Sequence, residues 1–88
     1  MAEQSVATQL QDFVQHMASQ LVETPEEVTV SAEQRGSVVQ IDLRVPAKDL
    51  GKVIGRNGRT ATAFRTVISA LAGRDGARID FVDVDRGR

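Results

Sequence analysis

Apolar positions first recur regularly over residues 5–22. Val6, Leu10, Phe13, Val14, Met17 and Leu21 follow i, i+3, i+4 spacing, with Gln9, Gln11, Gln15 and Gln20 mostly on the other side. That period predicts an amphipathic helix. Ser5 is placed to cap it, and Thr24-Pro25 ends it, because a residue before proline is pushed out of the helical region. The period then changes to two. Residues 28–33 alternate, and residues 38–45 put Val39, Ile41, Leu43 and Val45 on one face with Gln40, Asp42 and Arg44 on the other. Both segments predict half-buried strands. The short, glycine-containing connector Gln34–Ser37 makes them an antiparallel hairpin, and Pro46 stops the second strand.

The helical period returns over residues 47–54, with Leu50, Val53 and Ile54 on its apolar face, and again over residues 58–72. In the longer helix Ala61, Phe64, Val67, Ile68 and Leu71 form a stripe that Ala63, Ala70 and Ala72 widen past half the circumference. One sheet face needs a narrower stripe, so the surplus is expected to meet the short helix or another subunit. Gly73 fits a helix stop. Residues 78–84 predict a last strand in which Ile79 and Phe81 share a face. Val82 and Val84 fall out of phase, as a local bulge or frayed end would produce. Arg86-Gly87-Arg88 is a short basic tail. A strand returning through two helices should lie parallel, by a right-handed crossover. The expected fold is therefore α+β, in the order α-β-β-α-α-β, with a three-stranded mixed sheet and three helices packed on one face. Residues 1–85 form the single domain.

Composition removes several function classes. The chain has no cysteine and one histidine, His16, which excludes thiol chemistry, disulfides and multi-histidine metal clusters. No apolar run approaches the ~20 residues of a membrane span, and no secretory signal pattern is visible, so the cytoplasm is the expected location. The net charge of −1 hides an asymmetry. Residues 1–47 carry two basic and seven acidic side chains, whereas residues 48–74 carry Lys48, Lys52, Arg56, Arg59, Arg65 and Arg74 against Asp49 alone. A local field of this kind attracts anions whatever the total charge.

The basic segment surrounds Leu50-Gly51-Lys52-Val53-Ile54-Gly55-Arg56-Asn57-Gly58-Arg59-Thr60, where glycines stand at positions 51, 55 and 58. A glycine turn that opens a helix permits close approach of another chain. It also presents main-chain N–H groups at the positive end of the helix dipole. The stretch reads as a phosphate-holding turn between two helices. Asn57-Gly58 is also a common hairpin turn, but its flanks lack strand alternation.

With its element order, Val53-Ile54-Gly55-Arg56-Asn57-Gly58 resembles the I-G-x-x-G signature of KH domains, in the type II arrangement with an N-terminal helix and strand before the β-α-α-β core. Thr24-Pro25-Glu26-Glu27-Val28, Asp49–Gly55 and Arg65-Thr66-Val67 are similar to the stand-alone, single-KH bacterial RNA-binding proteins of the KhpA type. The resemblance covers the whole chain. It implies non-catalytic binding of single-stranded RNA, as a small RNA chaperone or post-transcriptional regulator, with the turn clamping the RNA backbone and bases lying against an apolar groove. On that reading Gly55 and Gly58 admit the backbone, and amides near Arg56 to Arg59 face a phosphate. Arg56 and Asn57 add side-chain contacts, Lys52 and Arg59 border the phosphate track, and either Val53 or Ile54 floors the groove while the other is core. The connector at Gln34–Ser37, matching the family's variable loop, is short and adds little beyond Arg35. The resemblance further implies self-association, expected as a homodimer through the long helix near Gly58, and pairing with a partner of the KhpB (Jag) type; no cofactor or metal is expected. Phe13, Phe64 and Phe81 all fall on core stripes, so no exposed aromatic platform is expected.

Two other classes fit the sequence less well. An enzyme is disfavoured: no Gly-Lys-Ser/Thr follows Gly51 as a P-loop requires, no G-x-G-x-x-G is present, and His16 has no sequence-evident partner. A protein–protein dimerisation or docking module with little RNA affinity is the alternative, raised by the broad apolar arc of helix 58–72. The Arg-Asn pair inside the turn, being non-acidic, favours RNA.

Overall fold

Ser5 begins the first helix, with an extended backbone and a side chain that accepts a hydrogen bond from the Thr8 amide at 3.1 Å. The computed structural model describes residues 5–85, so the basic tail lies outside the described residues. In order come α1 (Val6–Leu21), β1 (Thr29–Arg35), β2 (Val38–Val45), α2 (Ala47–Ile54), α3 (Arg59–Ala72) and β3 (Gly76–Asp83). Single 3-10 turns at Pro25–Glu27 and Arg56–Gly58 complete the order.

The sheet order is β1-β2-β3. β1 runs antiparallel to β2, from Thr29 opposite Arg44 to Arg35 opposite Val38. The hairpin loop is only Gly36-Ser37, tighter than the connector read from sequence, and the positive φ of Gly36 (60°) makes so short a reversal possible. β3 lies parallel to β2, as the crossover rule requires. Val39, Ile41, Leu43 and Val45 of the central strand are fully buried beneath the helices. The opposite face is polar: Gln40 donates to Asp80 at 2.8 Å and to Asp42 at 3.2 Å, and Arg44 reaches Ser31 at 3.4 Å. The result is the α+β, mixed-sheet architecture of a type II KH fold.

β3 corrects one expectation. It starts at Gly76 and pairs one-for-one with β2 through Val45 opposite Asp83, so it contains no bulge. Val82 lies opposite Arg44 on the polar side of the sheet. Val84 has left the strand, although its amide still reaches the Val45 carbonyl at 3.0 Å.

Both longer helices bury a narrower line than their patterns suggest. α1 buries Leu10, Val14 and Ala18, while Met17 and Leu21 remain 37% exposed. α3 buries Ala61, Phe64, Ile68 and Ala72, leaving Val67 and Leu71 exposed. Successive 100° steps carry the second apolar line of each helix off the sheet-facing side. Phe13, Met17 and Leu21 of α1 and Ala63 and Val67 of α3, with the core residue Phe64, line a shallow apolar groove of about 140 Å³. The surplus arc of α3 is thus not covered by α2.

Candidate nucleic-acid interface

α2 is fixed at both ends. Pro46, buried and extended, cannot continue the sheet pairing and turns the chain into the helix. The free Ala47 amide is met by the Asp85 carboxylate at 2.9 Å, across from the end of β3. At the other end the Gly55 amide donates to the Gly51 carbonyl at 2.8 Å. Gly55 then takes φ 81°, ψ 168°, a region essentially restricted to glycine.

Next comes a tight reversal. Asn57 (φ 58°, ψ 23°) and Gly58 (φ 74°, ψ 17°) are both left-handed, a pairing that glycine and asparagine tolerate best. These angles are close to those of the Asn-Gly turn of hairpins, yet here they join two helices. The Gly58 amide closes on the Gly55 carbonyl at 3.1 Å, and the Arg59 amide on that of Arg56. Of the amides expected to face a phosphate, those of Gly58 and Arg59 therefore serve the turn itself, which holds Arg56 and Asn57 at its apex.

The two glycines of the signature have different surroundings. A Cβ on Gly55 would lie 2.8 Å from both the amide nitrogen and the Cβ of Thr60, in the first turn of α3. A Cβ on Gly58 would meet nothing within 4 Å. Gly55 lets α2 and α3 close on each other, and Gly58 leaves an open main-chain surface.

Arg56, Asn57 and Arg59 are exposed, and among the described residues no ion pair or side-chain hydrogen bond engages them. Lys52 is also exposed, but its Nζ lies 3.4 Å from the Glu23 carboxylate. Val53 is fully buried while Ile54 is half-buried, so Val53 is the core member of the pair and Ile54 keeps surface to offer. Arg65 lies away from the turn, its guanidinium 5.7 Å from the Phe81 ring centre. Phe81 in turn meets Phe64 edge-on at 6.0 Å. Phe64 is core, whereas Phe13 and Phe81 are only half-buried. Arg65, Ser69, Arg78 and Asp80 line a more polar depression along the outer edge of β3.

Asp49 is the residue that pattern reading missed. It is fully buried, and its carboxylate accepts the Thr24 hydroxyl at 2.6 Å and the Glu23 amide at 3.1 Å. The Thr24 hydrogen bond above all holds its carboxyl below the usual carboxylate range. This contact fastens the α1–β1 connection to the first turn of α2. Its signal lay in Thr24 before a proline and an acid in the first turn of a helix, two words whose contact no periodicity reveals. His16 stands on the exposed side of α1, 2.8 Å from the Gln20 amide group. No helix of the described residues is long and apolar enough to cross a membrane.

Comparison with known proteins gives one consistent match. Residues 11–84 fit the family described as KhpA/KhpB, KH domain. The RNA-binding protein KhpA of Streptomyces coelicolor is 48% identical over 81 residues, covering 90% of this chain and 99% of that protein. The RNA-binding protein KhpA of Mycobacterium tuberculosis is 46% identical over 77 residues, covering 85% and 92%. That of Halalkalibacterium halodurans is 41% identical over 76 residues, covering 84% and 100%.

Proposed function

The chain belongs to the KhpA/KhpB KH-domain family, and on that premise we propose that it binds single-stranded RNA, without catalysis, at the Gly55–Gly58 turn. The observation that carries this reading is the contrast at the turn. Gly58 exposes main chain with nothing within 4 Å of its missing side chain, and exposed Arg56, Asn57 and Arg59 surround it without partners of their own among the described residues. A sugar–phosphate strand resting on Gly58 meets two guanidinium groups and an amide. It also meets the positive end of α3. Lys52 borders the track one turn back along α2. Ile54 supplies apolar surface beside it, and Val53 supports the turn from the core. Mapping amide shifts on titration with a single-stranded oligonucleotide tests the assignment: the largest changes should fall between Lys52 and Arg59.

The cellular role that follows is that of a small RNA chaperone or post-transcriptional regulator in the cytoplasm. One turn of this size grips a short stretch of strand, so affinity has to be raised by pairing. The groove between Met17 and Val67 supports self-association, since contiguous exposed apolar surface on a small domain marks an interface. A homodimer, or a pair with a KhpB (Jag)-type KH protein, would cover it.

A further inference from the structure

We infer that Glu23 is an internal competitor of the bound strand: its carboxylate occupies Lys52 in the free protein and gives way when a phosphate arrives. This rests on the RNA reading above and deepens it. Lys52 Nζ lies 3.4 Å from Glu23 Oε2. The position of Glu23 is set by the fold, because its own amide donates to the buried Asp49 carboxylate, and so does the hydroxyl of the next residue, Thr24. Asp49 and Lys52 are three residues apart on α2, and helical residues at that spacing share a side. The buried carboxylate therefore fixes the α1–β1 connection at the height where its acidic side chain meets the lysine. Arg56 and Arg59, further toward the open turn, carry no such partner among the described residues.

The pair is built to exchange. Its side chains are 42% and 65% exposed, and solvated pairs of this kind hold their partners only loosely. A phosphate brought beside Lys52 by the turn competes with a carboxylate of similar charge and similar reach. Glu23 thus lowers affinity for any strand held only by its backbone. It also keeps the lysine from collecting anions indiscriminately when no strand occupies the turn.

The test is a titration of a short single-stranded oligouridine, at low salt, into the parent chain, Glu23→Gln, Lys52→Gln, the double variant and the control Glu26→Gln. The control removes an equal charge from the adjoining exposed 3-10 turn. Glu23→Gln should bind about two- to fivefold more tightly, with the parent's salt slope retained, because Lys52 meets a phosphate in both complexes. The gain should disappear in the Lys52→Gln background and be smaller in the control. The inference is overturned if the parent binds and Glu23→Gln matches it, if Glu26→Gln gains as much, or if the gain survives without Lys52. Failure of every protein to bind would instead remove the RNA reading, and this inference with it.

Discussion

Thr60 stands where a side chain on Gly55 would have to go. The Thr60 amide nitrogen lies 2.8 Å from that position, with its Cβ at the same distance, so the first turn of α3 closes on the last residue before the reversal. Gly58, three residues later, faces open space. The two glycines of one motif therefore answer to different physics, helix closure at the first and ligand approach at the second.

Substitution separates them. Gly55→Ala should destabilise the fold by about 2–4 kcal/mol, since it meets both overpacking against Thr60 and an unfavourable left-handed backbone. Gly58→Ala carries the backbone term alone, about 1–2 kcal/mol, and should lose RNA affinity while still folded. Urea unfolding combined with RNA titration of each variant checks the split. Equal stability loss in the two would contradict it.

The buried Asp49 gives a pH dependence of definite sign. Its folded pKa is lowered, chiefly by the Thr24 hydroxyl. The contribution is therefore present above the unfolded value, about 3.9, and is lost as pH falls through the lower folded value. Thermal unfolding should show the parent losing melting temperature below about pH 4. Thr24→Val should start lower and fall less steeply over that range. A parallel decline in both proteins would show that this carboxylate is not responsible.

Salt reports how many phosphates are held. If Arg56, Arg59 and Lys52 together neutralise about three phosphates of a single strand, log affinity should fall with log salt at a slope near −2. A slope near zero would mean that the contact is not with phosphate.

Self-association should depend on the α1–α3 groove. Val67 is 37% exposed, so Val67→Glu should change stability by no more than about 0.5 kcal/mol while converting a dimer to a monomer in sedimentation equilibrium. A parent chain that is already monomeric at micromolar concentration would count against this role for the groove.

Much of this architecture is legible in the residues, because local chemistry decides it. The alternation of Val39, Ile41, Leu43 and Val45 marks a central strand, and all four are fully buried. Ser5 begins α1 through its own side chain, and Pro46 and Gly73 bound their helices by their own backbone preferences. What is not legible depends on the third dimension. Met17 and Val67 share the apolar period of Val14 and Ile68, and only the docking of α1 beside α3 decides which line meets the sheet. Val82 stays out of phase with Ile79 and Phe81, and only the unbroken register of β3 with β2 shows that it sits on the polar face of a regular strand rather than at a bulge. Asp49 was hidden for a similar reason, its two donors lying 25 and 26 residues away in the chain.

The most direct test is the RNA affinity of Arg56→Asp combined with Asn57→Asp. Both side chains are exposed at the apex of the turn and engage nothing else among the described residues, so the double variant should keep the parent's circular dichroism and melting temperature. Repulsion replaces attraction where the strand is held, and affinity for single-stranded RNA should fall by at least about tenfold, the equivalent of ~1.4 kcal/mol. A folded double variant that binds RNA as tightly as the parent would contradict the assignment of the Gly55–Gly58 turn as the RNA clamp.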